Sequence, residues 1–266
     1  MKKSHKDEDK AGENMEQKEY IAVFDSGVGG VSVLRHLQAL MPREHYIYYG
    51  DCANAPYGSR PTEEVRRLTL AVAGKLLSEY PVKALVVACN TATAAAIETL
   101  RAAYPERIIV GIEPALKLAA DLFPGGRIGV MATEVTLREE KFDQLLHRFS
   151  SCEVEKIPAP GLVQLIEAGL TESAEMDALL HSLLDPYVGK LDALVLGCTH
   201  YPFAAEAIRR VMGENCRLLD GGEGTARETQ RRLAAEHRLN TQGEGSISIY
   251  SSADDEALRR LAVQYM

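Results

Sequence analysis

Two short stretches of the sequence are similar to one another, and each carries a cysteine at the same place. Residues 84–96 read ALVVACNTATAAA and residues 193–205 read ALVLGCTHYPFAA. Each begins with an apolar run typical of a buried parallel strand and ends in an alanine-rich segment typical of a helix. We therefore expect Cys89 and Cys198 where a strand ends and a helix begins, the place where open α/β sheets bind ligands. Two thiols facing one substrate would suit the removal and return of a proton.

Polar residues near the cysteines extend this chemistry. His200 follows Cys198 by two residues and is a candidate acid or base, although a lone histidine is more often structural. Asp25 and Ser26 begin a glycine-rich turn, DSGVGG, whose bare amides would suit a carboxylate. The turn lacks the G-x-G-x-x-G spacing of dinucleotide sites, and it is equally compatible with a plain strand-to-helix connection.

Three further residues have both a structural and a functional interpretation. Thr133 and Thr136 suit helix caps, and the same hydroxyls can donate hydrogen bonds to a bound carboxylate. Glu167 would ordinarily lie on a solvated helix face. For the two threonines these roles are compatible.

Thiol chemistry is expected at only two of the five cysteines. Cys52, Cys152 and Cys216 are interpreted as inert small hydrophobic residues. The helix amino ends at Cys89 and Cys198 are expected to lower the thiol pKa from about 8.5. A zinc site is disfavoured, because Cys-Thr-His is not a common zinc spacing and no second cluster completes four ligands.

Composition argues against several classes of protein. The 266 residues are 46% hydrophobic, enough for one large α/β domain or two smaller ones. A formal net charge of −8 with 6% aromatic residues argues against general nucleic-acid binding. Five cysteines without a CxxC pair indicate reduced thiols in a cytoplasmic protein. No apolar run reaches membrane-spanning length, and the charged residues 1–18 are expected to form a disordered tail.

Strands and helices are predicted to alternate along the chain from Tyr20. Such alternation indicates an α/β fold with mostly parallel sheets, and the internal repeat suggests two sheets of similar build. The predicted strands are 20–24, 46–49, the apolar runs before the two cysteines, 108–112, 127–131, 153–157, 217–219 and 246–251. The predicted helices are 31–40, one capped by Thr62 and running to about residue 80, those after the two cysteines, 137–149, 162–168, 176–188 and 225–239.

Five sequence blocks together identify a family. They are FDSGVGGVSVL at 24–34, YGDCANAPYGSRP at 49–61, ACNTATA at 88–94, GIEP at 111–114 and LGCTHYPF at 196–203. In this order they resemble the cofactor-independent aspartate/glutamate racemases, and among them the glutamate racemases. One block alone would not be specific. The resemblance extends from about residue 20 to residue 224 or beyond.

The resemblance implies two similar α/β domains with the active site in the cleft between them. Residues 19–111 with 224–266 would form the first domain and residues 112–223 the second. The family's two catalytic thiols match Cys89 and Cys198. Its aspartate beside the first thiol matches Asp25, its histidine after the second matches His200, and the glutamate that assists the second thiol falls on Glu167.

The family's substrate-binding residues match a further set of positions. They are Asp25, Ser26, Pro56, Tyr57, Gly58, Asn90, Thr91, Thr133, Thr136, Thr199 and His200. Asp51 matches another acidic residue of the site. The sequence departs from the usual family pattern at Cys52, where threonine or serine is expected, and in residues 159–162, which approach Glu167 more loosely. Residues 131–133 vary a strand end that usually has smaller residues.

The activity implied by the resemblance is interconversion of L- and D-glutamate, supplying D-glutamate for peptidoglycan. Cys89 would take the α-proton from D-glutamate and Cys198 from L-glutamate, without pyridoxal phosphate or a metal. Neither nucleic acid nor a membrane is an expected partner, whereas a homodimer and a small-molecule cell-wall precursor as regulator stay open. The alternatives are a racemase of aspartate or another amino acid, a cysteine-nucleophile hydrolase or transferase, and a non-catalytic binding protein.

Overall fold

The computed structural model describes residues 18–138, 140–148 and 151–266. The tail predicted at residues 1–18 lies outside this range except for Lys18. In chain order the strands are β1 (Tyr20–Asp25), β2 (His45–Gly50), β3 (Val82–Val87), β4 (Ile108–Gly111), β5 (Arg127–Ala132), β6 (Glu153–Pro158), β7 (Ala193–Leu196), β8 (Arg217–Asp220) and β9 (Ser246–Ser251). The helices are α1 (Val31–Leu40), α2 (Thr62–Glu79), α3 (Asn90–Ala103), α4 (Leu116–Leu122), α5 (Glu134–Arg138), α6 (Glu140–Arg148), α7 (Leu162–Glu167), α8 (Ala174–Leu184), α9 (Ala205–Met212), α10 (Gly222–Ala235) and α11 (Asp255–Tyr265).

The first sheet has the strand order β4-β3-β1-β2-β9, and every pairing in it is parallel. Alternate residues of β1 enter opposite cores, as the two-residue period of a strand requires. Ile21 and Val23 pack with α1, α10 and α11 on one face. Ala22 and Phe24 pack with α2 and α3 on the other. Because both faces are covered, the central strands are apolar along nearly their whole length.

The second sheet has the strand order β6-β5-β7-β8 and is also parallel. One face packs against α7, α8 and α9, and the other against α4, α5 and α6. The sequence-based expectation of an α/β fold with two parallel sheets flanked by helices is therefore confirmed.

Several element boundaries differ from the sequence-based prediction. The helix predicted at 137–149 begins earlier, at Glu134, and Thr136 lies inside α5 rather than capping it. The cap is Thr133, whose Oγ1 accepts a hydrogen bond from the Thr136 backbone N–H at 3.3 Å. Likewise Thr62 is the first residue of α2, after Pro61, rather than its cap.

The ends of two longer helices and two whole helices were also mispredicted. Helix α8 ends at Leu184, and a 3-10 turn containing Pro186 follows, since proline interrupts the backbone hydrogen-bond ladder. Helix α10 ends at Ala235, short of the predicted residue 239. Helices α4 and α11 were not predicted. Helix α4 is a short segment of seven residues, and α11 is amphipathic but buries only Leu258 and Ala262.

The two cysteine units differ in the helix that follows. After Cys89, α3 begins at once with Asn90. After Cys198, a 3-10 turn spans Tyr201–Ala204, and α9 begins only at Ala205. Pro202 lies within this 3-10 turn, and the α-helix starts beyond it. The predicted helix amino end is therefore confirmed for Cys89 and wrong for Cys198.

The fold brings the candidate residues to equivalent edges of the two sheets. Asp25 is the last residue of β1, and Cys89 and Cys198 lie two residues beyond the ends of β3 and β7. These are the carboxyl ends of parallel strands, where α/β sheets bind ligands. In the described part of the chain, no helix is both long and apolar enough to cross a membrane.

Candidate active site

Cys89 and Cys198 line one cavity of about 280 Å³ between the two sheets. A space of this size accommodates a small molecule. Most of the residues predicted to bind substrate line the same cavity. They are Ser26, Pro56, Tyr57, Gly58, Asn90, Thr91, Thr133, Thr199 and His200. Glu167 lines it too, whereas Asp25, Asp51 and Thr136 lie behind lining residues.

Cys89 occupies the N-cap position of α3. Its Sγ accepts a hydrogen bond from the backbone N–H of Ala92 at 3.4 Å and lies 3.6 Å from Ser26 Oγ. Only 5% of the residue is exposed. The helix dipole and the hydrogen bonds favour a thiolate at this position.

The pKa of Cys89 nevertheless moves in the direction opposite to that expected. Burial raises it to about 12, and the nearby charge of Asp25 acts in the same direction. The hydrogen bonds from Ala92 and Ser26 lower it, but by less. Removal from water outweighs the helix end here. The expectation of a lowered thiol pKa is therefore wrong for Cys89.

Cys198 has a different set of partners. His200 Nδ1 lies 3.8 Å from Cys198 Sγ, and His200 Nε2 lies 2.9 Å from Glu167 Oε1. Burial lowers the pKa of His200, but the hydrogen bonds to Cys198 and Glu167 outweigh it and raise the pKa to about 10. The three side chains form a sulfur–imidazole–carboxylate chain in which the imidazole is held as a cation at neutral pH.

Asp25 links the two half-sites rather than serving one of them. Its side chain is fully buried, and its carboxylate accepts hydrogen bonds from Gly27 N–H at 2.8 Å and from Thr199 Oγ1 at 3.1 Å. Burial raises the pKa of Asp25, and the charge of His200 acts against that rise. One carboxylate thus belongs to the first sheet, contacts the loop after the second thiol and acts electrostatically on Cys89.

The loop that follows Cys198 docks closely against the first sheet's glycine-rich turn. Ser32 Oγ donates hydrogen bonds to the carbonyls of Gly29 at 2.8 Å and Thr199 at 2.9 Å. A Cβ at Gly29 would lie 2.5 Å from both His200 Nδ1 and Thr199 Oγ1. The second glycine of the GVGG turn is therefore needed for close approach of the histidine loop, and a dinucleotide is not required to explain it.

Three threonines join α3 to the start of α5. Thr91 Oγ1 lies 3.1 Å from Thr133 Oγ1 and 3.3 Å from Thr136 Oγ1, and the last two hydroxyls lie 3.0 Å apart. Thr91 and Thr133 line the cavity, whereas Thr136 supports them from behind. Beside them, the buried Oδ1 of Asn90 has no hydrogen-bond partner among the described residues. The hydroxyls can donate hydrogen bonds to a carboxylate of a small ligand, and Asn90 Oδ1 can accept one from an ammonium group.

Tyr57 forms part of the cavity wall, and Asp51 holds it from behind. The Tyr57 hydroxyl donates a hydrogen bond to Asp51 Oδ2 at 2.6 Å, and Asn54 Nδ2 donates to the same carboxylate at 3.1 Å. Asp51 is 2% exposed and does not line the cavity. Its interactions are those of a residue that positions Tyr57.

Several cavity residues were missed in the sequence. They are Ala55, Ser59, Glu134, Ala159, Pro160, Gly161, Val163 and Gln164. Gln164 carried a usable signal, because it precedes Glu167 by three residues and so shares its face of α7. Residues 159–161 lie in a loop that no periodic pattern marks.

No group of three or more His, Cys, Asp or Glu side chains suited to a metal ion occurs in residues 18–138, 140–148 and 151–266. The five cysteines are all unpaired thiols.

Comparison with known proteins adds independent information. A model of the Asp/Glu/hydantoin racemase family matches residues 28–229. Glutamate racemase from Clostridium perfringens is 44% identical over 246 residues, covering 91% of this chain and 94% of that protein. The crystal structure of glutamate racemase isoform RacE1 from Bacillus anthracis is similar with a TM-score of 0.86 at 30% identity, covering 93% of each chain.

A third similar protein was solved with bound small molecules. Glutamate racemase from Escherichia coli, in complex with L-glutamate and the activator UDP-MurNAc-ala, has a TM-score of 0.82 at 32% identity, covering 93% of this chain and 95% of that one. The family match spans both cysteine units and most of both sheets. The chain therefore belongs to the Asp/Glu/hydantoin racemase family, within its glutamate racemases, and is an isomerase.

Proposed function

We propose that this protein interconverts L- and D-glutamate by proton transfer between the α-carbon and two thiols. The observation that carries the proposal is that Cys89 and Cys198, from different sheets, line one cavity. The sequence similarity to glutamate racemases supports glutamate as the substrate. The Escherichia coli relative binds L-glutamate.

The reaction needs one thiolate and one thiol at the start of each turnover. With L-glutamate, Cys198 thiolate takes the α-proton, and the electron pair of the C–H bond stays on the α-carbon. Cys89 thiol then delivers its proton to the opposite face, giving D-glutamate. The thiols finish in exchanged states, and the reverse reaction restores them. No net redox change occurs, and the reaction is proposed to need no cofactor or metal.

The two sulfurs differ in their charged neighbours. The His200–Glu167 pair places a cationic imidazole 3.8 Å from Cys198 Sγ, within reach of the proton transfers of that thiol. Cys89, with its pKa raised to about 12, is favoured as the thiol. The α-ammonium of a bound amino acid would add positive charge near both sulfurs and ease ionisation of Cys89 in the reverse direction.

Polar groups of the cavity wall would hold the two carboxylates of the substrate. The backbone amides at the start of α3, the amide nitrogen of Asn90, and the hydroxyls of Thr91 and Thr133 offer such contacts. The unpartnered Asn90 Oδ1 could accept a hydrogen bond from the α-ammonium group. Hydrogen-bond donors aimed at the α-carboxylate also stabilise charge that develops at the α-carbon. Closing of the two halves over the substrate would exclude water and strengthen these contacts.

The wider role is part of the same proposal. We propose residues 19–111 with 224–266 and residues 112–223 as the two domains, that the enzyme acts in the cytoplasm, and that its D-glutamate enters peptidoglycan. A cell-wall precursor is a candidate regulator because the Escherichia coli relative was solved with the activator UDP-MurNAc-ala.

Exchange of the α-proton in D₂O tests the function directly. The purified protein is incubated with L-glutamate without added cofactor, and optical rotation and α-deuteration are followed together. We expect the circular dichroism signal to decay to zero while the D-glutamate formed carries deuterium at the α-carbon. Parallel reactions with aspartate test specificity. Absence of both racemisation and exchange with glutamate would overturn the proposal.

A further inference from the structure

Two stacked aromatic rings connect the two halves of the molecule. Phe203 and Tyr265 both pack against the core formed by α1, α10 and α11 and against the core formed by α7, α8 and α9. Their ring centroids lie 3.9 Å apart with an interplanar angle of 12°. Among the partly buried apolar residues in the described part of the chain, these two alone pack against both cores.

Tyr265 is held on the side of the first sheet. It is the last residue of α11, which is fixed to that side by the buried Leu258 and Ala262. Arg35 Nη1 of α1 donates a hydrogen bond to the Tyr265 carbonyl at 3.2 Å. The side chain then reaches the other half of the molecule, and its hydroxyl donates a hydrogen bond to the carbonyl of Ile166 at 3.0 Å.

The two elements that Tyr265 contacts are those that carry the His200–Glu167 pair. Ile166 directly precedes Glu167, the last residue of α7. Phe203 belongs to the 3-10 turn after His200, and its backbone N–H donates to the His200 carbonyl at 3.0 Å. One tyrosine thus contacts the carboxylate's helix through a hydrogen bond and the imidazole's turn through a ring stack.

We propose that Tyr265 is a positioning residue for the second half-site. Its hydroxyl and its stacked ring fix Glu167 relative to His200, and thereby hold the imidazole against Cys198. The inference rests on the proposed two-thiol function. It makes proton transfer at Cys198, but not at Cys89, depend on the end of α11.

The local structure explains why such support is needed. Helix α7 has only six residues, and helices this short are not stable without tertiary contacts. Glu167 is about one-third exposed, so the protein interior does not fix it on every side. Proton transfer is sensitive to small displacements of the groups involved. A contact that holds the carbonyl next to Glu167 therefore has a direct effect on the imidazole.

The test compares Tyr265→Phe, Tyr265→Leu and a control, Tyr250→Phe. The first removes only the hydroxyl, and the second removes the stack as well. Tyr250 lies on β9 beside Tyr80 and packs against a different core. We expect kcat to fall about two- to ten-fold for Tyr265→Phe, the value of one hydrogen bond, further for Tyr265→Leu, and not at all for the control.

Deuterium isotope effects then distinguish positioning from a general loss of structure. Because the equilibrium constant of a racemisation is one, kcat/KM falls equally in both directions. If the Cys198 step alone is slowed, the isotope effect should rise with [2-²H]-L-glutamate, whose proton Cys198 removes. It should fall towards one with [2-²H]-D-glutamate, because delivery of a solvent proton by Cys198 then limits the rate.

Each other result is decisive. Isotope effects that shift equally for the two enantiomers, or do not shift in Tyr265→Phe, would overturn the positioning role. Thermal unfolding shows whether each variant is folded. If Tyr265→Leu does not fold, Tyr265→Phe, which keeps the ring, tests the proposal alone. If the unaltered protein exchanges no α-proton, the two-thiol function itself fails. That outcome differs from a failure of the inference alone, in which the Tyr265 variants would be active and their isotope effects would equal those of wild type.

Discussion

The surroundings of Cys89 and Cys198 differ far more than the sequence units that carry them. Cys89 caps an α-helix, contacts a serine hydroxyl and is affected by a buried carboxylate. Cys198 precedes a 3-10 turn and contacts an imidazole that is paired with Glu167. A duplicated strand–turn unit has thus produced two thiols with opposite electrostatic neighbours.

This difference has a chemical consequence for a reaction whose substrate and product are mirror images. A protein made of L-amino acids cannot provide mirror-image surroundings for the two faces of one carbon. The two half-sites need only make proton transfer to either face of the carbon similar in free energy. Here an imidazolium lies near Cys198 and a carboxylate lies near Cys89. Asp25, which also contacts Thr199, couples the two sides. Burial and the nearby carboxylate should therefore keep Cys89 as the thiol in the resting protein.

Replacing either thiol by serine should give the largest effect. We expect Cys89→Ser and Cys198→Ser each to lower kcat for racemisation by at least about a thousand-fold, because an alcohol is a much poorer proton donor and acceptor. Circular dichroism with glutamate measures this loss. Racemisation at the normal rate in either variant would contradict the two-thiol assignment.

The same variants reveal which face each thiol serves. A 3-haloglutamate needs only one base, which takes the α-proton while the halide leaves with the carbon–halogen electron pair. Cys89→Ser, which keeps Cys198, should eliminate hydrogen halide from the L-configured analogue. Cys198→Ser, which keeps Cys89, should eliminate it from the D-configured one. Equal rates on both configurations would show that the faces are assigned wrongly.

Removing the imidazole should have a smaller but still large effect. We expect His200→Asn to lower kcat about a hundred-fold, because Cys198 loses the imidazole that serves as its acid–base partner. The folded pKa of about 10 exceeds the ordinary 6.5, so the stability due to the imidazolium is complete below pH 6.5 and is lost as pH rises through 10. The free energy of unfolding of wild type should therefore fall towards that of the variant by up to about 1.4 kcal/mol per pH unit in this range.

Urea unfolding at a series of pH values measures that difference. Glu167→Gln provides the intermediate case. It replaces the charged one of the two hydrogen-bond partners that raise the pKa of His200 with a neutral amide, and it leaves the contact with Cys198 in place. Its activity should lie between wild type and His200→Asn. A stability difference that does not change between pH 6.5 and 9 would refute the charged imidazole.

A single methyl group at Gly29 should disturb the second half-site more than the first. The Cβ of Gly29→Ala would lie 2.5 Å from His200 Nδ1 and Thr199 Oγ1, and such overpacking costs about 1–3 kcal/mol. We expect kcat to fall about ten-fold, and elimination by Cys89 in the Cys198→Ser background to fall less, since Cys89 is reached only through Thr199 and Asp25. Gly224→Ala is the matched control. Its Cβ meets nothing within 4 Å inside α10, so it should stabilise the protein by about 0.5–1 kcal/mol without affecting activity.

The sequence predicts this fold well where a pattern is periodic. The apolar strands and the alternation of strands and helices were sufficient for two parallel sheets, and the two cysteines expected to face one substrate line one cavity. Helix α11 escaped prediction because it is mostly exposed and buries little apolar surface. Its function in the proposal depends on Tyr265 and on contacts with residues far along the chain, which no local pattern encodes.

Electrostatics was the least predictable part of the site. A helix amino end is a local feature, and the sequence correctly predicts one at Cys89. The depth of burial and the neighbouring charge of Asp25 depend on the packing of the two halves, and they reverse the direction of the pKa shift. The cysteine unit alone therefore could not show which thiol stays protonated.

Replacing a third thiol should produce the smallest effect. Cys52 is half-buried next to Asp51, where the family pattern expects serine or threonine, and burial raises its pKa. It lies outside the cavity lining, so Cys52→Ser should change kcat by less than about two-fold and stability by less than about 1 kcal/mol. Racemisation rate and urea unfolding check both values. Because the chemical change equals that in Cys89→Ser, a large loss at Cys52 would mean that sulfur removal harms the protein generally, and a null result ties the thousand-fold loss at Cys89 to proton transfer.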